Sequence, residues 1–508
     1  MTLFLSLSPR VLKKSLTLFA VAIFSFSALS THAQTLKLAS VLQDSMVIQQ
    51  NKTFKVWGTA KPGETVTLLP GWNKESIRVV AGADNRFCAI VEVPAVQPGD
   101  FKAYTLTVRS GKESITLKNL LIGEVWICSG QSNMQFGMKE EMHRSEELPK
   151  SDLPNVRVFS AGLNFSNTPL DTISGKWTGC NPKTVAPFSA VAYYFGKELY
   201  QKLNVPVGIV FTGIGASGAQ AYVPREVLAA DRVLDSAYLQ PYLRSEKSKE
   251  RIDGGFSFEK VVRPFLLYNA LIHPFRNLSV RGFCWYQGEA NHMERESYTR
   301  LTQTMIKSWR ESFGQGELPF YYVQIAPFFH DKEDPSLAFD AYFREAQEKV
   351  SELGNTSMVS TMDVGEAKDL HPKNKRPIGQ RLAWTALNRT YGKLDVPFRG
   401  PQYDYTVFDR SKAIVHFAPN SLYRGLKTNN GKYPRFFALA GEDRKFYPAE
   451  ATISGNTIVL QSKEVKKPVA ARYAFFNYPV TNLENSEGIP VNPFRTDNWP
   501  EEKQPVKP

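Results

Sequence analysis

Two different periods of apolar residues divide the chain into three parts. In residues 34–119, short runs alternate apolar and polar positions and are separated by turn sequences such as Pro62-Gly63. Alternation at every second residue with regular turns is typical of antiparallel strands, so we predict a small N-terminal β-sandwich domain. Strand-like runs return at residues 398–497 and predict a C-terminal β region, followed by a tail at residues 498–508.

Between these regions, residues 120–397 alternate strand-like and helix-like patterns. The strand-like runs predict strands at residues 122–128, 205–211, 280–286, 320–325 and 357–362. The helix-like runs predict helices at residues 190–203, 296–313, 339–353 and 378–391. Because strands that alternate with helices form parallel sheets, we predict an α/β fold with a five-stranded parallel sheet in an α/β/α sandwich. Ligands of such sheets bind beyond the carboxyl ends of the strands.

The N-terminal segment, residues 1–33, has the composition of a secretory signal peptide. Basic residues precede an apolar run at residues 16–29, and small residues lead up to Ala33. We predict cleavage after Ala33 and export to the periplasm or the medium. The apolar run is shorter than the roughly 20 residues that a spanning helix needs, so we predict no membrane span.

Charge and cysteine content narrow the classes of partner and cofactor. The net charge of +13 is spread over 508 residues without a dense run of Lys or Arg, which argues against a nucleic-acid partner. The four cysteines show neither a CxxC pair nor a zinc spacing, and no HExxH motif is present, so we predict no metal site. Cys128 and Cys284 lie in predicted strands, which favours buried free thiols over a disulfide framework. The oligomeric state stays open.

The first predicted strand of the middle part ends in a sequence suited to a nucleophile. Residues 122–128 are apolar, and Ser129 to Asn133 then supply residues that favour turns and helix caps. A strand that breaks into a tight turn before a helix leaves one side chain exposed at the sheet edge. A serine there needs a base within hydrogen-bond reach and donors for a developing oxyanion.

Four sequence blocks resemble those of one enzyme family. GEVWICSGQSNM at residues 123–134 resembles the nucleophile block of the sialate O-acetylesterase family, carbohydrate esterases of the SGNH hydrolase superfamily. WYQGEAN at residues 285–291, FREAQ at 343–347 and DLHP at 369–372 resemble further family blocks. The resemblance extends over nearly the whole chain beyond the leader. It implies a flavodoxin-like SGNH catalytic domain in which Ser132 is the nucleophile.

The resemblance also implies an oxyanion hole formed by three donors. The donors are the backbone N–H groups of Ser132 and Gly215 and the side-chain amide of Asn291. Gly215 lies in a glycine-rich turn after the second predicted strand, where backbone N–H groups are open to an oxyanion. The family usually shows WGGT and a following glutamate there, whereas this chain has residues 214–217 as IGAS and Gln220.

Four other polar residues in these blocks are candidates for holding the substrate or its loops. Gln287 and Glu289 lie in the WYQGEAN block, and we expect them to support the Asn291 loop. Gln131 adjoins the predicted nucleophile. Arg344, in the FREAQ block, has two interpretations, since it can pair with a buried carboxylate or contact the ligand.

Histidine is the natural general base near neutral pH, and the chain has seven histidines. His371 follows Asp369 by two residues, and this carboxylate can orient an imidazole, while His292 beside Asn291 is a weaker rival. The resemblance gives Asp369 as the acid and His371 as the base. The wider superfamily places its acid three residues before the histidine, where this chain has Lys368. Asp363, at the end of the last predicted strand, is therefore the alternative acid.

Taken together, these blocks predict an exported serine esterase that removes O-acetyl groups from carbohydrates without a metal or organic cofactor. The resemblance implies 9-O-acetylated sialic acid as the substrate. Two alternatives remain open. One is the same chemistry on acetylated xylan or another polysaccharide, and the other is a non-catalytic glycan-binding module with the same fold.

Overall fold

A computed structural model describes residues 35–330 and 337–501, so the predicted signal peptide lies outside the described residues. The N-terminal strands are β1 (Lys37–Leu38), β2 (Val47–Gln49), β3 (Thr53–Thr59), β4 (Thr65–Pro70), β5 (Ile77–Val80), β6 (Arg86–Glu92) and β7 (Tyr104–Ser110). Strands β1, β3 and β6 form one antiparallel sheet, and β5, β4 and β7 pair antiparallel in another. Alternate residues of both sheets, such as Val56 and Leu68, share one apolar core.

Strand β8 (Glu113–Gly130) joins the N-terminal region to the rest of the chain. Its first residues pair antiparallel with β7, and its later residues pair in parallel with two strands of a central sheet. The boundary predicted after residue 119 therefore falls inside one continuous strand of 18 residues. The strand pairs in both regions without a break. Its pairing in the N-terminal region and in the central sheet together holds the end that leads into Ser132.

The central sheet contains every strand predicted for the middle part of the chain. Its further strands are β9 (Leu153–Ser160), β10 (Trp177–Cys180), β11 (Val207–Phe211), β12 (Gly282–Tyr286), β13 (Phe320–Val323) and β14 (Thr356–Val359). Together with β8, these strands lie in the order β10-β9-β11-β8-β12-β13-β14. All neighbouring strands are parallel except β10 and β9. The prediction of five parallel strands is too low, because β9 is a sixth.

Helices cover both faces of this sheet. They are α1 (Ser132–Gln135), α2 (Arg144–Glu147), α3 (Pro182–Val185), α4 (Ala190–Leu203), α5 (Arg225–Ala230), α6 (Arg232–Leu234), α7 (Gln240–Arg244), α8 (Glu296–Phe313), α9 (Phe339–Lys349) and α10 (Arg376–Arg389). Trp126 of β8 shares a core with α4 and α10, whereas its neighbour Ile127 shares a core with α8. Successive strand residues point to opposite faces, so these helices lie on opposite sides. None of the helices in the described ranges is both long and apolar enough to cross a membrane.

The cysteines are free thiols. Cys128 and Cys284 are fully buried and face each other in register on β8 and β12, as expected for thiols inside strands. Cys180 is buried and Cys88 is exposed. The framework of the described chain is therefore held by packing and hydrogen bonds.

The C-terminal region contains a seven-stranded antiparallel sheet and a separate pair of strands. Its strands are β15 (Tyr403–Asp409), β16 (Lys412–Phe417), β17 (Leu426–Thr428), β18 (Phe437–Ala440), β19 (Phe446–Ser454), β20 (Thr457–Gln461), β21 (Ala470–Tyr473), β22 (Leu483–Asn485) and β23 (Phe494–Arg495). The sheet has the order β15-β16-β20-β19-β18-β21-β23, and the separate pair is β17 and β22. Its core includes Met362, just beyond β14, and the N–H of Thr481 donates to the Met362 carbonyl. The region is therefore packed against the loop that follows the last parallel strand.

Candidate active site

The candidate site lies at the carboxyl ends of β8, β11 and β12. The chain order of the strands reverses on the two sides of β8, and such a switch point is where open α/β sheets bind ligands. Gly130 ends β8 with a φ of 142°, and a Cβ at this position would lie 2.2 Å from the carbonyl oxygen of Tyr286. Only glycine allows the strand ends to approach this closely before α1 begins.

Ser132 and His371 are in direct contact. Ser132 is the first residue of α1, and His371 lies in the loop between β14 and α10. The Oγ of Ser132 and the Nε2 of His371 are 2.8 Å apart, although 239 residues separate them in the chain. Both side chains are partly exposed, so the pair is open to a ligand from solvent.

Of the two candidate acids, Asp369 is the one beside the imidazole. Its Oδ1 accepts a hydrogen bond of 2.8 Å from the backbone N–H of His371 and lies 3.7 Å from Nδ1 of the ring. Asp363 instead makes a two-pronged ion pair with Arg381, at 2.7 and 2.6 Å. Both oxygens of Asp363 are thus bonded to Arg381, whereas Asp369 is the candidate acid that contacts His371.

The charge state of His371 is set by its surroundings. Burial lowers the pKa of His371 below its usual value, the positive charge of Lys375 lowers it further, and Asp369 opposes both effects. The imidazole is therefore neutral at neutral pH. A neutral imidazole at 2.8 Å is able to accept the hydroxyl proton of Ser132.

Gly215 lies against Ser132 on the other side of the turn. A Cβ at Gly215 would be 3.4 Å from the Cβ of Ser132. The backbone N–H of Gly215 donates to Oε1 of Gln135 at 2.8 Å, and the Gln135 side chain is exposed. A ligand oxygen that reached this N–H would have to displace the Gln135 amide.

Asn291 is held by four hydrogen bonds in the loop after β12. Its Oδ1 accepts from the N–H of Ala219 at 3.0 Å and from the Gln287 amide at 2.7 Å. Its Nδ2 donates to Oε1 of Gln220 at 3.1 Å and to Oε1 of Glu294 at 2.8 Å. Both amide hydrogens have acceptors in this structure, so Asn291 would have to release one of them to serve an oxyanion.

Gln131 and Gln287 hold the loops around the nucleophile in place. Gln131 accepts hydrogen bonds from the N–H groups of Gly288 and Ala290, at 3.2 and 3.3 Å. The Gln287 amide donates to the carbonyl of Ser217 at 3.1 Å. Both side chains are buried, which agrees with a role in positioning these loops.

Asn133 and Lys375 form a buried polar layer with Glu289 directly behind Ser132. Asn133 donates to Oε1 of Glu289 at 2.6 Å and accepts from the ammonium of Lys375 at 2.5 Å. Burial raises the pKa of Glu289 and lowers the pKa of Lys375 to about 7. Asn133 also donates to the carbonyl of Leu370, which fixes the turn before His371.

Arg344 lies away from this layer. Its guanidinium donates to the carbonyls of Ile325 and Ala326 and to those of Phe476 and Asn477, at 2.8 to 3.3 Å. Burial lowers the pKa of Arg344 to about 10. The carboxylate partner considered for Arg344 acts on it only through space, as the charge of the buried Asp340. The hydrogen bonds of Arg344 join the segment after β13 to the C-terminal region.

Sequence reasoning missed Lys375, Asn133 and Gln135. Asn133 and Gln135 lie inside or beside the GQSN block, so their nearness to Ser132 in the sequence could have identified them. Nothing in the sequence identifies Lys375, because a lysine in a polar loop gives no sign of being fully buried. The rival base, His292, bonds to Asp340 and so does not serve Ser132 here.

The contact between the Ser132 hydroxyl and the His371 imidazole is what serine ester hydrolysis requires. Comparison with known proteins points to the same chemistry. A family model described as carbohydrate esterase, sialic acid-specific acetylesterase, matches residues 122–388, more than half of the chain. This match begins in β8 and ends in α10, and so it includes Ser132, Gly215, Asn291 and His371.

Relatives match well beyond this segment. The chain is 26% identical to the sialate O-acetylesterase of Mus musculus, over 90% of this chain and 94% of the relative. It is 24% identical to the sialate O-acetylesterase of Homo sapiens, over 90% of this chain and 92% of the relative. The solved structure of a carbohydrate acetylesterase from Xanthomonas citri is similar with a TM-score of 0.80 and 30% identity, over 91% of this chain and all (100%) of that one. The chain thus belongs to the family of sialic acid-specific acetylesterases among the carbohydrate esterases, and it is a carboxylic ester hydrolase.

Proposed function

We propose that Ser132 is the nucleophile, His371 the general base and Asp369 the orienting acid in the removal of O-acetyl groups from carbohydrates. The observation that carries this proposal is the distance of 2.8 Å between Ser132 Oγ and His371 Nε2. A serine hydroxyl is a weak nucleophile until a neighbouring base takes its proton. The partial exposure of both groups leaves room for an acetyl ester.

The proposed reaction has two halves. In the first, Ser132 Oγ attacks the acetyl carbonyl while His371 takes its proton, and the imidazolium then gives that proton to the departing sugar oxygen. In the second, His371 takes a proton from a water molecule that attacks the acetyl-enzyme. The imidazolium returns the proton to Ser132 Oγ as acetate leaves.

The developing oxyanion is proposed to bind the N–H groups of Ser132 and Gly215, with the Asn291 amide as a third donor. The Ser132 N–H belongs to the first turn of a helix, where backbone donors lack intrahelical acceptors. The oxyanion would displace the exposed Gln135 amide from Gly215 and would compete with Gln220 for a hydrogen of Asn291. The loss of one such donor typically raises the barrier by about 2.7–4 kcal/mol.

The proposed substrate is sialic acid that carries an O-acetyl group, with the 9-position as the specific expectation. The support is the family to which the chain belongs and its sialate O-acetylesterase relatives. The alternative substrate, acetylated xylan or another polysaccharide, uses the same chemistry at the acetyl end. A non-catalytic glycan-binding module is disfavoured, because such a module has no need of a serine and a histidine in contact.

The remaining proposals concern architecture and location. We propose a flavodoxin-like SGNH catalytic domain at residues 120–397, between β domains at residues 34–119 and 398–497. The five strands first predicted occur in the order β11-β8-β12-β13-β14, which supports the flavodoxin-like comparison. Export after cleavage at Ala33 is proposed from the sequence of the leader.

The catalytic roles are tested with a generic acetyl ester, 4-nitrophenyl acetate. Ser132→Ala and His371→Ala should each lower kcat/KM by at least about 1,000-fold, with far-ultraviolet circular dichroism unchanged. Ser351→Ala, an exposed serine in the same part of the chain, is the matched control and should retain full activity. Retention of activity by folded Ser132→Ala would overturn the assignment.

The sugar is tested separately by measuring released acetate. We expect faster release from 9-O-acetylated sialic acid than from acetylated xylan at equal ester concentration. The reverse order would overturn the sialate proposal and leave the serine mechanism intact, since both substrates require Ser132.

A further inference from the structure

Three side chains with metal-ligating groups meet beside the loop that carries Asn291. They are His292, His330 and Asp340, and their potential ligand atoms all lie within 4.8 Å of one another. Nδ1 of His292 lies 3.2 Å from Oδ1 of Asp340, and Nε2 of His330 lies 2.8 Å from Oδ2 of the same carboxylate. Two imidazoles from separate chain segments are thus directed at the two oxygens of one acid.

The carboxylate of Asp340 is almost fully buried, with 2% of its side chain exposed. A buried carboxylate needs a compensating positive charge, because removal of the ion from water is costly. Arg344 donates its hydrogen bonds to backbone carbonyls and none to Asp340, so its positive charge acts on this carboxylate only through space. The hydrogen-bonding partners that the described residues give to this carboxylate are therefore the two imidazoles.

The rings of His292 and His330 are stacked, with centroids 4.7 Å apart and an angle of 11° between the planes. Both rings thus reach the same carboxylate from neighbouring positions. A divalent cation between the two nitrogens and the carboxylate would offset the buried negative charge, since a metal binds imidazole through its unprotonated nitrogen.

The spacing of the ligand atoms is close to that of a zinc site. Bonds of 2.0–2.2 Å in a tetrahedron place neighbouring ligand atoms roughly 3.3 Å apart. The nitrogen–oxygen distances of 3.2 and 2.8 Å are near this value, and each imidazole nitrogen faces its own oxygen of Asp340. The histidine side chains are 24% and 25% exposed, so an ion can enter and water can complete the coordination.

We propose that His292, His330 and Asp340 form a zinc site that fastens the Asn291 loop to the first turn of α9 and to the segment after β13. Two imidazole nitrogens and a carboxylate suit zinc better than magnesium or calcium, which prefer ligands that are all oxygen. The site is structural, because its ligands are distinct from Ser132 and His371. The earlier prediction of no metal site rested on motif spacing, and these ligands are scattered along the chain.

Zinc binding to the chelator-treated whole protein tests the proposal by isothermal titration calorimetry. We expect one zinc ion per chain, with affinity at least about tenfold weaker in His292→Ala and in His330→Ala. His143→Ala is the matched control, because His143 also contacts a buried carboxylate, that of Glu141 at 3.2 Å, but belongs to no cluster of three potential metal ligands among the described residues. Its affinity should equal that of the unaltered protein.

A second readout keeps the proposal testable if a variant folds poorly. Cobalt(II) added to the unaltered protein should give the intense visible absorption of a four-coordinate ion, and zinc should abolish this absorption. Absence of both stoichiometric zinc binding and this spectrum would overturn the proposal. Equal zinc affinity in His292→Ala, His330→Ala and His143→Ala would also overturn it, since the ions would then bind elsewhere.

Discussion

At the scale of single residues, the polar groups around Ser132 are arranged in two layers. His371 is partly exposed to solvent, while Lys375 is fully buried against Asn133. The ammonium lies 4.7 Å from the centroid of the Phe136 ring, so it is held by an aromatic face as well as by the amide. From this position the charge of Lys375 acts on His371 through space.

Replacement of Lys375 by Met should change the pH dependence of the reaction. The proposed mechanism requires neutral His371, so kcat/KM should rise as pH increases through the pKa of His371. In the unaltered protein burial and the positive charge of Lys375 both lower this pKa, and Asp369 opposes them. Removal of the ammonium leaves burial and Asp369, so the pKa of His371 rises and the acid limb of the profile moves to higher pH. The profile is measured with 4-nitrophenyl acetate.

Lys373→Met is the control for this experiment. Lys373 lies in the same loop but is exposed, and its charge is therefore screened by solvent. Its profile should match that of the unaltered protein. An acid limb that shifts equally in both variants would show that Lys375 has no special influence on His371.

The two aspartates near the end of β14 should respond differently to replacement by Asn. Asp369→Asn removes the charge beside the imidazole, and we expect kcat to fall by about 10- to 1,000-fold. This is less than the loss of about 10⁴-fold known for a buried triad aspartate, because Asp369 is 39% exposed and 3.7 Å from the ring. The measurement is steady-state kinetics with folded protein.

Asp363→Asn should instead act on stability. Asp363 pairs with Arg381, whose side chain is only 5% exposed, and loss of one partner from such a pair costs about 3–5 kcal/mol. We expect a lower denaturation midpoint and an almost unchanged kcat per folded molecule. A larger loss of kcat in Asp363→Asn than in Asp369→Asn would give the acid role to Asp363.

The sequence predicted some of these residues and not others, and the difference has a physical cause. Ser132 and His371 could be predicted because each follows a predicted strand in a block that resembles the family. Asp363 stayed an alternative because sequence cannot show that Arg381 already binds it. Burial of Lys375 and the occupied hydrogens of Asn291 depend on contacts between distant segments. Such contacts leave no pattern in the neighbouring residues.

At the scale of elements, the active-site turn depends on the close approach of strand ends. Gly130 of β8 touches the end of β12, where an added Cβ would clash with the Tyr286 carbonyl at 2.2 Å. Gly213, after β11, would clash in the same way with the Gly130 carbonyl at 2.6 Å. Three parallel strands thus bring the Ser132, Gly215 and Asn291 loops together only because two glycines lie between them.

Gly130→Ala should therefore disturb both stability and catalysis. The methyl group needs the strand ends to separate, which costs about 1–3 kcal/mol by overpacking, and its φ of 142° adds backbone strain. We expect a lower unfolding midpoint and at least about tenfold lower kcat/KM. Gly354→Ala is the control, since a Cβ there meets nothing within 4 Å. Unchanged kinetics in Gly130→Ala would mean that the turn does not depend on this approach.

Element prediction succeeded where the periodic pattern was long. The predicted helix at residues 296–313 coincides with α8, and that at 190–203 coincides with α4. Strand β9 was missed because Pro154 and Asn155 interrupt its start and only four of its residues are buried. Such a short run has too few apolar positions to display a period.

At the scale of the whole molecule, hydrogen bonds and packing join the C-terminal region to the carboxyl end of the central sheet. The sequence predicted a C-terminal β region but not the surface against which it packs. An alternating pattern shows which residues of a strand face inward, but it does not show which other part of the chain lies against the sheet. Two of these contacts come from buried arginines in residues 120–397. Arg381 donates to the carbonyl of Gly488, and Arg344 donates to those of Phe476 and Asn477.

Arg344→Leu tests how strongly this junction depends on one side chain. Leucine fills part of the space but leaves the carbonyls of residues 325–326 and of residues 476–477 without this donor, and each such buried group costs about 1–3 kcal/mol. We expect the free energy of unfolding to fall by about 4 kcal/mol or more and limited proteolysis to release the C-terminal region first. Arg435→Leu, an exposed arginine of the same region, should behave like the unaltered protein. Since Arg344 does not contact Ser132 or His371, the rate of 4-nitrophenyl acetate hydrolysis at low temperature should change little. A full loss of activity in folded Arg344→Leu would mean that the junction also shapes the loops around Ser132 and His371.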